Sequence, residues 1–379
     1  MNGESLSPSV LDTGIRAVTN VGGFDFGSGS LDELPGRVNV RRDRAIRMSE
    51  PTDVVYIIDE YFEGHLEILD RLGAAPKDRM EFISTKKEPT TEGIDNLVNE
   101  LRSAGHLRPA AIVGIGGGTT LDSAKAISNL LTNGGKAETY QGWDLVKVPG
   151  VYKIAVPTIS GTGSETTRTC VMTRASTGLK LGMNSDHTVF NHLILDPALS
   201  KSVPRDQYFY TGMDTYIHAM ESMAGSYRNA IGDAYSQEAG VLCRQVFLAE
   251  NMMSEGSRER LMVASYLSGC AITTSYVGIA HPLSAGLSVV LGLPHGMANC
   301  IVMGAVREFY PEACDEFWTM VERQQVEVPK GVARDLSDDQ YRALYSAMIT
   351  HEKPLTNALG SNYRDVLTVE KIIELYQAM

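Results

Sequence analysis

Short apolar runs alternate with helix-like segments along the first half of the chain. Four of these runs have the length and the β-branched content of buried strands: DVVYIID (53–59), MEFIST (80–85), AAIVGIGGG (110–118) and YKIAVPT (152–158). Amphipathic segments such as TEGIDNLVNELRSAG and TLDSAKAISNLLTNGG lie between them and end at glycine, as helices often do. Because strands that alternate with helices form parallel sheets covered on both faces, this half is predicted to be an α/β domain.

The pattern changes after Asp196 and Pro197. Three long segments then read as successive helices, and no clear strand follows: PRDQYFYTGMDTYIHAMESMAGS (204–226), GDAYSQEAGVLCRQVFLAENMM (232–253) and SRERLMVASYLSGCAITTSY (257–276). We therefore predict two domains, an α/β domain at 1–196 and an all-α domain at 197–379.

One stretch of the helical half lacks charge altogether. From Leu261 through Val306, a run of 46 residues, there is no Asp, Glu, Lys or Arg. Prolines and polar residues interrupt the run, which favours helices buried at the centre of a domain over a membrane span. His281 and His295 lie within it, separated by Gly292 and Pro294, which should end one helix and let the second histidine start another.

Two further polar residues share a helix face in the same half. Asp214 and His218 are four residues apart, so they project together. With His281 and His295 they form a set of three imidazoles and one carboxylate, which can converge on a divalent cation and leave a position open for a substrate oxygen. The alternative is four unrelated polar residues, and the residues alone do not choose between the two.

A glycine-rich segment in the first half predicts a phosphate site. GIGGGTTLDSAKA follows a strand and opens a helix, with Thr119 or Thr120 near the N-cap. Gly116, Gly117 and Gly118 let the backbone approach a phosphate at the free N–H groups of the helix start. The segment lacks both the last glycine of the dinucleotide fingerprint and the lysine of a P-loop.

A second loop, PTISGTGSE (157–165), follows the next predicted strand. Two such loops on neighbouring strands suggest a diphosphate held from both sides, and the alternative is two tight strand-to-helix turns. Asp59 ends an earlier strand, where its carboxylate is suited to accept hydrogen bonds from ribose hydroxyls.

Composition and charge exclude several classes. The chain has 379 residues, of which 43% are hydrophobic and 21% charged, as in an ordinary globular protein. A net charge of −12 argues against nucleic acid or an anionic membrane as the main partner. Five cysteines without a C-x-x-C pair suit reduced thiols. No basic N-terminus followed by an apolar run is visible, so we expect a cytoplasmic protein without a signal peptide.

Several motifs together resemble the iron-containing alcohol dehydrogenase family. GIGGGTTLDSAKA, VPTISGTGSETTR, DPALSKSVPRDQYFYTGMDTYIHAME, AHPLSAGL and LPHGMANC occur in that family's order and spacing, within a resemblance that runs from FGSGSLDEL to the C-terminal LTVEKIIELYQAM. The resemblance implies the fold shared with dehydroquinate synthase: a Rossmann-like NAD(P)-binding domain and an all-α domain, with one divalent metal, Fe²⁺ or Zn²⁺, in the cleft between them. It also implies a homodimer or a higher homo-oligomer.

The resemblance also assigns site residues. The metal ligands would be Asp214, His218, His281 and His295. The cofactor residues would be the pyrophosphate turn at Gly117, Gly118, Thr119 and Asp122, the second phosphate-side loop at Thr158, Thr162 and Ser164, Asp59 as the residue that favours NAD over NADP, and Lys180 near the nicotinamide ribose.

One position departs from the family pattern. Many members have H-x-x-x-H at the third ligand, and the second histidine helps to relay the alcohol proton. This chain has HPLSA, so Ala285 takes that place. The relay is therefore unassigned, with water, a substrate hydroxyl and His187 as alternatives.

The expected chemistry is oxidation of a primary alcohol. The cation would lower the pKa of the bound hydroxyl, and the carbon would deliver hydride to the nicotinamide. The helical half is similar to a sugar-acid branch that oxidises the C8 hydroxyl of 3-deoxy-manno-octulosonate in lipopolysaccharide biosynthesis. Arg168, Arg228 and Lys180 are candidate partners for such a carboxylate, or else ordinary surface charges.

Three other functions compete. A general NAD-dependent dehydrogenase for small alcohols or aldehydes would release NADH stoichiometrically. A lyase or cyclase of the dehydroquinate synthase type would return its hydride and release no net NADH. A non-catalytic nucleotide-binding protein is the last alternative. Direct use of oxygen meets a physical difficulty, because the sequence has no flavin motif.

Overall fold

A computed structural model describes residues 18–379. The first 17 residues, for which the sequence predicts no signal peptide, lie outside this range. The chain forms two compact units, one comprising Thr19–Val203 and the other containing Pro204–Met379. The boundary predicted at residue 197 falls on the short 3-10 turn Pro197–Ser200, which belongs to the first unit.

The first unit contains nine strands. They are β1 (Phe24–Phe26), β2 (Val54–Asp59), β3 (Arg79–Ile83), β4 (Ala111–Gly116), β5 (Gly142–Trp143), β6 (Lys153–Pro157), β7 (Thr169–Thr173), β8 (Lys180–Asn184) and β9 (His192–Leu195). Six of them form a parallel sheet in the order β1-β9-β6-β4-β2-β3. The other three form a small mixed sheet in the order β5-β8-β7. The predicted α/β class is confirmed.

The four predicted strands are confirmed as β2, β3, β4 and β6. Three of these, β2, β4 and β6, are central in the large sheet and are buried along almost their whole length. The five strands that the sequence did not predict have two to five residues, and β7 is buried only at alternate positions. Such short or half-buried strands carry little periodic signal.

Four helices belong to the same unit: α1 (Leu34–Met48), α2 (Leu66–Leu69), α3 (Thr91–Ser103) and α4 (Gly118–Asn133). The two predicted helices are confirmed as α3 and α4. α4 packs on β4 and β6, and this packing buries eleven of its sixteen residues.

Residues 204–379 of the second unit contain ten helices. They are α5 (Arg205–Ala224), α6 (Ala230–Phe247), α7 (Glu255–Ser275), α8 (Ala280–Leu291), α9 (His295–Val302), α10 (Pro311–Gln324), α11 (Asp338–Ile349), α12 (Glu352–Leu359), α13 (Tyr363–Val366) and α14 (Val369–Gln377). The three predicted helices are confirmed as α5, α6 and α7, which pack against one another. The charge-free stretch forms most of α7 together with α8 and α9, and most of it is buried, as predicted.

The predicted helix break between the two histidines is also confirmed. α8 ends at Leu291, and Gly292 follows in the left-handed conformation with φ +69°. Pro294 is the N-cap of α9, which begins at His295. Within residues 18–379 no single helix is long and apolar enough to cross a membrane; α7 and α8 pass that test only as a pair bent by 106°.

Candidate metal centre and nucleotide loops

Four predicted ligand side chains meet in the helical unit. α5 carries Asp214 and His218, α8 carries His281 in its first turn, and α9 begins with His295. The Nε2 atoms of His281 and His218 lie 3.1 Å and 3.6 Å from Oδ1 of Asp214. Nε2 of His295 lies 3.4 Å from the other oxygen, Oδ2. All three imidazoles thus direct the same ring nitrogen at one carboxylate.

Burial shapes the electrostatics of this cluster. Asp214 and His218 are 1% and 3% exposed, whereas the side chain of His295 is 29% exposed. Burial alone would raise the pKa of Asp214, but the neighbouring His218 and His295 hold it well below its usual range. Burial lowers the pKa of His218 to about 3, which keeps its imidazole neutral, the form that binds metals. The cluster opens towards solvent at His295.

Glu221 is part of the cluster, although the sequence analysis did not identify it. Its carboxylate is fully buried and accepts hydrogen bonds from the backbone N–H of Ala280 (2.6 Å) and from Nδ1 of His281. Burial would lower the pKa of His281, but Glu221 and Asp214 raise it to about 10. The bond at Nδ1 leaves Nε2 of His281 directed at Asp214. The sequence pattern that could have identified Glu221 is its position seven residues after Asp214, which places both on one helix face.

Asn299 is a second residue that the sequence analysis missed. It is fully buried on α9, one turn after His295, and its Nδ2 donates to Oδ1 of Asp214 (2.7 Å). The same Nδ2 lies 3.5 Å from Nε2 of His281 and 3.3 Å from Nε2 of His295. Asn299 therefore lies beside three of the four predicted ligands. Again the i, i+4 spacing was the available signal.

A close backbone contact fixes α9 against α5. A Cβ atom at Gly296 would lie 2.8 Å from the carbonyl oxygen of Tyr210 and 3.1 Å from the backbone nitrogen of Thr211. Only glycine allows this approach. Since Gly296 follows His295 directly, and Tyr210 and Thr211 precede Asp214 by one turn, the contact brings the two ligand-bearing segments together.

These residues fit a divalent cation. One ligand atom from each of Asp214, His218 and His281 can be chosen so that all lie within 4.8 Å of one another. Oδ2 of Asp214 is buried and has no hydrogen-bond partner within the described part of the chain. A buried carboxylate oxygen without a partner is costly, and a cation would satisfy it. Three imidazole nitrogens and a carboxylate, with no thiolate, suit Fe²⁺ or Zn²⁺.

The two predicted phosphate loops lie side by side in the α/β unit. β4 and β6 are neighbours, and the N–H of Thr158 donates to the carbonyl of Gly116 (3.1 Å). A Cβ atom at Gly117 would lie 2.8 Å from Cγ2 of Ile159, and one at Gly118 would lie 3.1 Å from the side chain of Thr162. The loops are therefore packed together through positions where a side chain would not fit.

The helix after the glycine turn begins close to where it was predicted. α4 begins at Gly118 with Gly117 as N-cap, so Thr119 and Thr120 lie near the N-cap, in the first turn. No side chain among the described residues caps this helix. Its first N–H groups are thus not satisfied by a capping side chain, which suits the binding of an anion.

Asp122 and Ser164 bind each other. Oγ of Ser164 donates to Oδ1 of Asp122 (2.6 Å), and the N–H of Val171 donates to Oδ2 (2.9 Å). The buried Lys125 lies 3.9 Å from Oδ1 of Asp122 and donates to the backbone carbonyl of Thr167 (2.9 Å). Asp122 and Ser164, both predicted to lie beside a phosphate, thus connect α4 to the second loop and to β7. Their contact with a cofactor stays a prediction.

Asp59 and Lys180 also have protein partners. Asp59 ends β2 and accepts hydrogen bonds from the N–H of Tyr61 (3.0 Å) and from Oγ1 of Thr85 (3.1 Å). It lies at the same edge of the sheet as the glycine turn, because β2 and β4 are parallel neighbours. Lys180 is buried on β8 and forms an ion pair with Glu88. Their roles in cofactor binding stay predictions.

The cations that we considered for a carboxylated substrate are already paired. Lys180 binds Glu88, as described above. Arg168 binds Asp144, and Arg228 binds Asp233 (2.8 Å). Each of these charges therefore has a protein carboxylate as its partner, which weakens their case as substrate groups.

The structure gives no relay residue at the place where the family pattern has histidine. Ala285 is buried on α8, one turn after His281. His187 lies in the α/β unit, where its backbone carbonyl accepts a hydrogen bond from Lys153 (2.9 Å). Its role in proton transfer stays a prediction.

A parallel α/β unit with two closely packed strand-to-helix loops and a helical unit with a three-histidine, one-carboxylate cluster are the features expected of a metal-dependent dehydrogenase of two-unit architecture. Family comparison agrees with this class. Residues 26–197 match the model described as iron-containing alcohol dehydrogenase, and residues 208–377 match the C-terminal model of the Fe-containing alcohol dehydrogenase family.

Individual proteins similar in sequence or in fold are also alcohol and aldehyde oxidoreductases. The chain is 31% identical to a sulfoacetaldehyde reductase of Bilophila wadsworthia (strain 3_1_6) over 72% of its own length and 69% of the relative's. A solved 1,3-propanediol oxidoreductase has the same fold, with a TM-score of 0.82 at 20% identity over 96% of this chain and 100% of that one. A sulfoacetaldehyde reductase from Bifidobacterium kashiwanohense, solved in complex with NAD⁺, also has this fold. Its TM-score is 0.74 at 22% identity, and the match covers 96% of this chain and 98% of that one.

The chain belongs to the iron-containing alcohol dehydrogenase family. It is therefore an oxidoreductase of the alcohol and aldehyde type, in a family that uses a divalent metal, typically iron, and NAD. The predicted fold and enzyme class are confirmed.

Proposed function

We propose that the chain interconverts a primary alcohol and its aldehyde with NAD(P), at one divalent cation held by Asp214, His218, His281 and His295. The observation that carries this proposal is the convergence of three Nε2 atoms on the two oxygens of one buried carboxylate. A bound divalent cation supplies Lewis acidity, which lowers the pKa of a coordinated hydroxyl and polarises a carbonyl.

The protein residues prepare the ligand atoms. Glu221 accepts the proton on Nδ1 of His281 and so orients that ring with Nε2 towards Asp214, the nitrogen that would hold a metal once its own proton is released. Asn299 fixes the orientation of the Asp214 carboxylate through its bond to Oδ1. His295 is the most exposed of the four ligands and borders the side from which a substrate enters.

We propose that the nucleotide binds at the paired loops of the α/β unit. Gly116, Gly117 and Gly118 bring the uncapped first turn of α4 next to the second loop, and this supports a pyrophosphate site there. Thr158, Thr162 and Ser164 supply hydroxyl groups along the second loop. Asp59 ends the neighbouring strand β2, where ribose hydroxyls are bound in sheets of this type.

We propose small primary alcohols and aldehydes as the first substrate class. The ion pairs of Arg168, Arg228 and Lys180 remove three candidate partners for a sugar-acid carboxylate. The charge-free stretch that supplies two of the four ligands offers no cation either. Oxidation of 3-deoxy-manno-octulosonate at C8 stays a prediction from resemblance, as do a cytoplasmic location and a homo-oligomeric state.

Two measurements test the metal site. In His281→Ala, we expect metal content and turnover to be lost while the fold and NAD⁺ binding persist, because the metal and the nucleotide use different residues. Val290→Ala is the matched control and should retain metal, because this half-buried residue lies nine positions further along the same helix, on its opposite face. Metal analysis of both proteins measures the outcome, and full metal content in His281→Ala would contradict the ligand assignment.

Reloading the depleted wild-type protein with Fe²⁺ or Zn²⁺ would identify the active ion.

A substrate panel tests the reaction. Simple alcohols, sulfoacetaldehyde and 3-deoxy-manno-octulosonate should be assayed while NADH and oxygen are followed together. Stoichiometric NADH change with small alcohols or aldehydes supports the proposal. Turnover without net NADH would instead indicate chemistry of the dehydroquinate synthase type. Oxygen consumption with the sugar acid alone would favour the oxidase branch.

A further inference from the structure

A cavity at the amino ends of the sheet strands carries an unusual set of charges. Its volume is about 250 Å³, and Arg41, Arg44, Arg108, Glu50 and Tyr152 are among its lining residues. Its lining residues Ala110 and Tyr152 directly precede β4 and β6, and Pro51 lies three residues before β2. It is therefore at the sheet edge opposite to the glycine turn, which follows the carboxyl end of β4. Six residues of parallel strand separate the two ends by about 20 Å.

The three arginines have no carboxylate partner within the part of the chain that the structure describes. None of Arg41, Arg44 and Arg108 makes an ion pair there. Two other arginines of α1 are paired, Arg37 with Asp25 and Arg42 with Asp78. The cluster is also at odds with a chain of net charge −12, in which carboxylates are in excess.

Arg41 is held so that its charge faces this cavity. Its guanidinium lies 3.9 Å from the ring centroid of Tyr152, and its Nε is buried without a hydrogen-bond partner in residues 18–379. Burial and the nearby Arg44 both lower the pKa of Arg41, although Glu50 and Tyr152 oppose them. Guanidinium groups stay charged in proteins, so Arg41 and Arg44 repel each other unless an anion lies between them.

We propose that this cavity binds a small multivalent oxyanion of the phosphate or short polycarboxylate class. Arginine presents a planar fork of N–H donors that matches such groups. The volume suits an anion with a few carbon atoms and is small for a dinucleotide. Glu50 is the one carboxylate among the lining residues within 18–379, and it limits the affinity by repulsion. This site is separate from the proposed nucleotide loops and would be occupied at the same time as they are.

Calorimetric titration of the whole protein with inorganic phosphate, and separately with citrate, tests the proposal. The titrations are run at constant ionic strength with saturating NAD⁺, so that the glycine turn is not available. Arg44→Ala and Arg108→Ala remove exposed cavity residues and should each weaken binding about 10-fold, the effect of losing one charge-assisted contact. Glu50→Gln should tighten binding at least about threefold, because it removes the repelling charge.

Arg47→Ala is the matched control, since Arg47 is an exposed arginine on the same helix that does not line the cavity. It should leave binding unchanged. Equal losses in Arg47→Ala and Arg44→Ala would mean a general charge effect and would overturn the proposal. So would saturable binding that survives in both cavity variants, or the absence of saturable binding of either anion to the wild-type protein.

Discussion

The two candidate sites are built in opposite ways. In the helical unit, the metal centre consists of side chains that approach one another from α5, α8 and α9. In the α/β unit, the nucleotide loops consist of backbone brought close together at Gly117 and Gly118, where side chains are absent. The first site therefore depends on groups that are present, and the second depends on space that is kept free.

This difference has a practical consequence for mutagenesis. Removing an atom should damage the metal centre, whereas adding one should damage the nucleotide loops. Because the two sites use different residues, each kind of change should leave the other site's binding intact. Paired measurements of metal content and nucleotide affinity separate the two sites.

Asp214→Asn should have the largest effect. The change removes the one charged ligand that all three imidazoles face, so we expect loss of bound metal and a decrease in kcat/KM of about 1000-fold or more. Metal analysis and steady-state kinetics check this, with NAD⁺ affinity as the internal control. Retention of one metal per chain would mean that the cation does not lie at this carboxylate.

Glu221→Gln should have an intermediate effect. The amide leaves His281 in place but no longer accepts the Nδ1 proton as a carboxylate does, so metal affinity should fall by about 10–100-fold. Competition with a chelator measures this. Glu316→Gln is the matched control, since Glu316 is a half-buried carboxylate that binds Arg244 and Tyr216 and no ligand residue. Equal affinity loss in both variants would indicate a purely structural cause.

Gly117→Ala should affect the nucleotide and not the metal. The added methyl group would lie 2.8 Å from Cγ2 of Ile159, so the Ile159 side chain or the loop that carries it must shift. We expect NAD⁺ affinity to fall about 10-fold, with metal content unchanged. The double variant with Ile159→Ala should recover part of the affinity, and no recovery would show that the loops do not act together.

Lys153→Met gives the smallest predicted change, and it concerns stability. Burial lowers the pKa of Lys153 to about 8, below the ordinary value of 10.5. Between these two values the unfolded chain binds more protons than the folded one, so stability rises with pH. From pH 7.5 to 9.5, wild type should gain about 1–2 kcal/mol relative to Lys153→Met. Denaturant unfolding of both proteins at the two pH values measures the difference, and parallel pH profiles would contradict it.

Much of the fold could be predicted from the sequence. Buried parallel strands such as β2 and β4 are continuous apolar runs, and α5 to α7 are long enough to show their period. The small sheet of β5, β7 and β8 was not predicted, because strands of two to five residues hold too few positions for a pattern. Their pairing depends on contacts distant in sequence.

The candidate ligands could be named from the sequence, but their supporting residues could not. Gly292 and Pro294 indicated that His295 starts a new helix, and the structure confirms this. Glu221 and Asn299 are ordinary polar residues until the helices pack, and only then does each face a ligand. Likewise, the sequence does not show that Lys180 is paired with Glu88, a residue 92 positions away.

The backbone contact at Gly296 limits how the metal centre could be redesigned. Since main-chain atoms of α5 and α9 touch there, no exchange of side chains can draw those two helices closer to accommodate an ion of smaller radius. A helix shift that shortens the distances between ligands is therefore to be sought in α8, which carries His281. An engineer who wants a different ion in this enzyme should therefore vary that helix first and leave the other two untouched.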